Sequence, residues 1–170
     1  ETTLHSSFRN QGQVCLCASR IYVERSIMDE FLQKFVARTE ELVVGDPFDA
    51  NTNIGAVIGK EHYEKVMRYI EIAREEGGTI LTGGKRPAHM EKGYFIEPTI
   101  VVGLDENSRC VREEIFGPVV TVLPFDSEQE VIGYANDTTY GLGATIWTND
   151  LRRAHRVAGQ IESGIVWVNT

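Results

Sequence analysis

Cys15 ends the stretch Phe8-Arg9-Asn10-Gln11-Gly12-Gln13-Val14-Cys15, a run of glycine and polar residues just ahead of a β-prone segment. A cysteine attacks carbonyl carbon as the thiolate, so a thiol of unperturbed pKa about 8.5 needs activation. A glycine-bearing loop lets backbone N–H groups turn toward an oxyanion forming beside the sulfur. Spacing alone leaves a second reading open, because small packed cysteines are common. A further polar segment is Glu113-Glu114-Ile115-Phe116-Gly117-Pro118. From charge alone, Glu113-Glu114 is a solvated turn.

The other reactive residues fall to simpler readings. Cys17 shares a face with Cys15 only if a strand begins there, and a packed thiol explains it as well. Cys15, Cys17 and Cys110 make neither a paired framework nor zinc-ligand spacing, so reduced thiols are expected and no metal site is implied. His5, His62, His89 and His155 are scattered and supply no cysteine–histidine dyad. Gly83-Gly84 follows a short strand without a helix start behind it, so it is no phosphate loop.

The elements that must position Cys15 follow from period. Ser26 to Val43 repeats apolar pairs every four residues, predicting a helix with Ser26 and Asp29 at its start. Lys60 to Glu76 predicts another, with Tyr63, Val66, Met67, Ile70 and Ala73 inward and Gly77-Gly78 at its end. Val119 to Phe125 reads as a strand, and Ser127-Glu128-Gln129-Glu130 as a capping box opening a helix through Asn136. Ala144 to Thr148 reads as a strand, Leu151 to Ile161 as a helix with Leu151, Ala154, Ala158 and Ile161 inward, and Ile165 to Asn169 as a last strand. With Ser19 to Val23 and Thr79 to Thr82 as earlier strands, the alternation predicts an α/β fold with a mainly parallel sheet and flanking helices. The 170 residues are 42% hydrophobic and carry a net charge of -8, which suits one domain and argues against nucleic-acid or anionic-membrane partners. No apolar run reaches the roughly 18 residues of a membrane span, and a cytoplasmic location is expected.

The chain resembles the aldehyde dehydrogenase superfamily along its whole length. The resemblance rests on Phe8 to Cys15, on Glu113 to Pro118 about one hundred residues later, on Gly93-Tyr94-Phe95-Ile96-Glu97-Pro98-Thr99, on Asn136 with Tyr140-Gly141-Leu142, and on Val166-Trp167-Val168-Asn169. It implies a Rossmann-like catalytic domain in which Cys15 is the nucleophile that oxidises an aldehyde to a carboxylate through a thioester. Glu114 and Phe116 would hold the nicotinamide half of NAD, with NADP as the alternative cofactor. Glu113 keeps the reading of a solvated turn, Lys65 falls near where some members place a cofactor-proximal lysine, and Asn169 would order the active-site loop. Cys15-Leu16-Cys17, Pro124 to Glu128 and Arg153 to Gln160 look most like the 2-aminomuconic and 2-hydroxymuconic semialdehyde dehydrogenase branch, so the substrate expected is a small muconic-type semialdehyde.

The resemblance further implies that residues 1–170 are an incomplete catalytic domain. The family's glutamate base, an oxyanion-site asparagine, the dinucleotide-binding domain and a C-terminal segment lie outside them. The isolated chain is therefore expected to be inactive. The uncovered last strand fits a homo-oligomer built by strand addition. A non-catalytic module used for binding or assembly is the alternative, and the intact motifs argue against it.

Overall fold

The computed structural model describes residues 1–170 and begins with helix α1 (Thr2–Phe8), which sequence period had not singled out. A 3-10 turn (Arg9–Gly12) and the Cys15 turn lead into strand β1 (Arg20–Glu24). Helices α2 (Met28–Glu40) and α3 (Lys60–Glu75) follow, then strands β2 (Thr79–Thr82) and β3 (Thr99–Val102) and the short helix α4 (Arg109–Arg112). Strand β4 (Val119–Phe125), helix α5 (Glu128–Asn136), strand β5 (Gly143–Ile146), helix α6 (Leu151–Ala158) and strand β6 (Ile165–Val168) complete the chain.

One sheet has the order β1-β4-β3-β2, with β4 parallel to both β1 and β3 and only β2 antiparallel. The apolar run of β4 follows from burial on both faces, as in sheets covered by helices on each side. Its side chains alternate: Val119 and Leu123 join α3 residues Val66, Ile70 and Ala73 in one core. Val120 and Val122 join Phe8 of α1 and Phe35 of α2 in the other. Strand β3 repeats the division, with Val101 on the α3 side and Ile100 on the α2 side. Removing a fully buried side chain such as Ile70 costs about 2–5 kcal/mol, because the rigid sheet and helix cannot close on the void.

Strands β5 and β6 form a separate parallel pair bridged by α6. No helix is long and apolar enough to cross a membrane.

Local signals behaved unevenly. At the end of α3, Gly77 takes φ +86° and its N–H reaches the Arg74 carbonyl, while the Gly78 N–H reaches that of Ala73. This is a Schellman closure, which needs the left-handed residue there. Ser127 Oγ accepts the Glu130 N–H (3.2 Å) as expected, but the Glu130 carboxylate turns back to the Asp126 N–H (2.6 Å), one residue beyond the usual box. Ser26 does not cap α2: a 3-10 turn (Arg25–Ile27) precedes the helix and the Ser26 hydroxyl goes to Glu24 (3.2 Å). Asp29 sits in the first turn, where a negative charge meets the helix dipole.

The last helix is shorter than its period suggests, stopping at Ala158 rather than Ile161. Leu151 is 72% exposed, contrary to expectation; Ala154 and Val157 make the buried face. Asp150 accepts the N–H groups of Arg152 and Arg153, and this cap sets the entry of the chain so that Leu151 faces outward.

Candidate active site

Phe8 anchors the Cys15 loop. It is 1% exposed and stacks on Phe35 of α2 with ring centroids 6.1 Å apart. Beyond it the chain does something unusual for L-residues, because Asn10 (φ 49°), Gln11 (φ 58°) and Gly12 (φ 69°) are all left-handed in succession. Each non-glycine residue there is strained, and such strain persists only where neighbours over-determine the backbone. The neighbours are identifiable. The Asn10 amide donates to the Gln13 carbonyl (3.3 Å), Gln13 Oε1 accepts the Ile58 N–H (3.0 Å), and Gln11 packs on Gly55.

Gly12 is the point of contact with the second motif. A Cβ built on it would lie 2.1 Å from the Gly117 carbonyl oxygen, so the two backbones touch directly. The Cys15 loop and the Glu113-to-Pro118 segment, distant in sequence, therefore abut. Asn10, Gln13, Ile58, His62 and Phe116 line a single cavity of about 290 Å³ at this junction.

Cys15 lies in the turn that follows, and its thiol is exposed. Strand β1 begins only at Arg20, so Cys17 does not share a strand face with Cys15. Cys17 instead points its sulfur toward the Arg9 carbonyl (3.6 Å), and burial pushes its thiol up. Cys110 is buried near the Tyr69 carbonyl, and burial pushes its thiol up to about 12. Among the three, only Cys15 stands open to a reagent. Leu16 leans on the other side, beside Trp167 over Gly143, so the β5–β6 unit closes on the loop from that direction.

Glu114 and Phe116 occupy the turn between α4 and β4. The Glu114 carboxylate is exposed and free of intrachain partners, whereas its backbone is held by Lys65 Nζ at the carbonyl (3.1 Å) and the Tyr140 hydroxyl at the N–H (3.3 Å). Phe116 is left-handed (φ 58°) and half-buried, and its carbonyl lies 2.6 Å from His62 Nε2.

Glu113 is more than a solvated turn. Its carboxylate takes both Arg109 N–H groups (2.8 and 3.0 Å) and the Tyr69 hydroxyl (2.5 Å), tying α4 to α3. Arg109 first, then Tyr69, hold its carboxyl down to about 2.

The aldehyde dehydrogenase family model matches residues 1–170. The chain belongs to this family. It is 51% identical over 172 residues to mouse 2-aminomuconic semialdehyde dehydrogenase, covering 98% of this chain and 35% of that protein. It is 50% identical over 173 residues to 2-hydroxymuconic semialdehyde dehydrogenase of Pseudomonas putida, covering 100% of this chain and 36% of that one. Among solved structures, betaine aldehyde dehydrogenase from Staphylococcus aureus in complex with NAD+ superposes with a TM-score of 0.96 at 44% identity, over 98% of this chain and 34% of that chain. The chain thus spans about a third of the length of the curated relatives it matches.

In this aldehyde dehydrogenase chain the residues that the resemblance implied, Cys15, Glu114 and Phe116, lie on two segments that meet at Gly12 and Gly117. The sequence pattern gives His62 no special role and does not single out Ile58, while Gln13 belongs to the Phe8-to-Cys15 motif. A faint signal existed: His62 and Lys65 lie three apart on one face of α3 and reach alternate carbonyls of the same turn. Their partners are too far away in sequence for spacing to reveal. The Asn169 side chain fastens the loop after β5, not the Cys15 loop: its Oδ1 accepts the Thr148 N–H (3.0 Å) and its Nδ2 donates to the Thr148 carbonyl (2.9 Å).

Proposed function

We propose that this chain is the nucleophile-bearing part of an NAD-dependent aldehyde dehydrogenase acting on a small muconic-type semialdehyde. The observation that carries the reading is the abutment of Gly12 on Gly117, which brings Asn10 and Gln13 of the Cys15 loop and Phe116 of the Glu113-to-Pro118 segment onto one cavity. In this reading the Cys15 thiolate adds to the aldehyde carbon, a C–S bond forms, and the carbonyl pair moves to oxygen. The Cys15 N–H stabilises that alkoxide in part. Glu114 and Phe116 would hold the nicotinamide half of NAD, which would supply the hydride acceptor for the oxidation of this carbon. Water then adds to the Cys15 thioester, and the thiolate departs as the carboxylate forms.

The residues fit the nicotinamide half of the cofactor. A carboxylate with no partner of its own suits two ribose hydroxyl donors. The cavity edged by Phe116 is near the lower end of ligand pockets, about 300–1,000 Å³. The S. aureus relative named above is described in complex with NAD+. NAD is therefore the cofactor proposed, held by Glu114 and Phe116, with Cys15 as the catalytic residue. The water-activating base and the dinucleotide-binding domain are assigned to residues outside 1–170. A cytoplasmic homo-oligomer completes the proposal.

The test is aldehyde-dependent NADH formation by the intact protein bearing this chain, with and without Cys15→Ser. Loss of turnover in C15S, with 2-aminomuconic or 2-hydroxymuconic semialdehyde preferred over betaine aldehyde and simple alkanals, is expected. Undiminished turnover by C15S would sink the mechanism, and a strong preference for betaine aldehyde would sink the substrate assignment.

A further inference from the structure

Phe116 poses a physical question. A bulky residue at φ +58° is held against its own preference, so something must keep it there. Two groups grip the peptide. Gly117 is wedged between the Gly12 backbone and Val66 of α3, where an added Cβ would meet Val66 Cγ2 at 2.5 Å. The other grip is His62, also on α3, whose Nε2 lies 2.6 Å from the Phe116 carbonyl oxygen. A carbonyl can only accept, so this contact requires the proton on Nε2. The imidazole also meets the Phe116 ring edge-on, with centroids 6.3 Å apart and an interplanar angle of 73°. His62 therefore constrains both the carbonyl and the ring, and it lines the same cavity as Phe116.

We infer that His62 is a positioning residue for cofactor binding: its Nε2–H holds Phe116 left-handed, so that the Phe116 ring and the adjacent Glu114 are set before the cofactor arrives. The inference rests on the cofactor reading above and adds to it a residue that acts through Phe116 rather than in the chemistry. Gln at position 62 has a comparable reach and an N–H donor, whereas Leu fills the space without one.

The experiment uses the intact protein and two readouts besides turnover. In the cofactor-free protein, 15N shifts should report the Nε2–H tautomer of His62. By calorimetry, His62→Leu should weaken NAD binding roughly five- to tenfold, the equivalent of one hydrogen bond, and His62→Gln should restore most of it. The loss should fall on KM for NAD more than on kcat. A solely structural role would lower the melting temperature and leave the NAD affinity of the folded protein unchanged. The inference is overturned by an Nδ1–H tautomer, by unchanged affinity in H62L, or by H62Q binding as weakly as H62L. Phe116→Ala and Glu114→Gln separate the two levels. If they weaken NAD binding while H62L does not, only the positioning role fails. If neither weakens it, the cofactor reading fails as well.

Discussion

Gly12→Ala is the most informative single perturbation of this chain, because it strikes the seam between its two motifs. Gly12 sits at φ +69°, a conformation that costs an L-residue about 1–2 kcal/mol. The new Cβ would lie 2.1 Å from Gly117 O, 2.5 Å from Gly117 C and 3.0 Å from Pro118 N, all backbone atoms with no side chain free to swing away. Overpacking of this kind costs about 1–3 kcal/mol, so the sum is about 2–5 kcal/mol. That is a large share of the about 5–15 kcal/mol by which a domain is stable. Part of the cost can be relieved by parting the Cys15 loop from the Gly117 peptide, so both stability and the nucleophile should suffer. In a domain of this size the melting temperature should fall by roughly 5–15 °C. The iodoacetamide labelling rate of Cys15 should change with it. Gly133→Ala serves as the control, since it lies in α5 with nothing within 4 Å of an added Cβ, and it should stabilise by about 1 kcal/mol or less. A G12A protein that melts within about 2 °C of wild type and labels Cys15 at the same rate would refute the seam as the organising contact.

Other expectations follow from the side chains around that seam. Glu113 is held down to about 2 by Arg109 and Tyr69, so its ionised form favours the folded state. Its contribution is complete above the ordinary carboxylate range and fades as pH falls toward 2. Because the pair is 48% and 40% exposed, it contributes at most about 1 kcal/mol. Glu113→Gln should therefore melt lower near neutral pH and lose less on acidification; an acid melting profile parallel to wild type would contradict this. For the thiols, alkylation near neutral pH should run Cys15 before Cys17 before Cys110, because Cys15 is exposed while burial raises the other two. Peptide mapping that finds Cys110 labelled first would count against the placement of Cys15.

Much of the fold was legible before any coordinate. The apolar period of α3, the run of β4 and the Ser127 cap are written in residues at most a few positions apart, and each appears where the pattern puts it. Signals weakened at element ends. Leu151 fits the helical period yet faces solvent, since the Asp150 cap decides how the chain enters α6. Strand β3 is four residues long, too short for its period to single it out; its pairing with β4 defines it. At the site, the motif resemblance implied Cys15, Glu114 and Phe116, where spacing and charge alone left a packed thiol and a solvated turn open, and the local charge pattern undervalued Glu113.

By itself, then, the sequence determined the kinds of elements, the two motifs and the family they indicate, because periodicity, caps and motif spacing are properties of nearby residues. Only the tertiary structure decided that Gly12 rests on Gly117, that Asn10, Gln11 and Phe116 are left-handed, and that His62 holds the Phe116 carbonyl. Intrinsic preference argues against a left-handed Phe or Gln, so no local rule would place one there. These conformations exist because packing between distant segments outweighs local cost, and that balance is absent until the chain has folded.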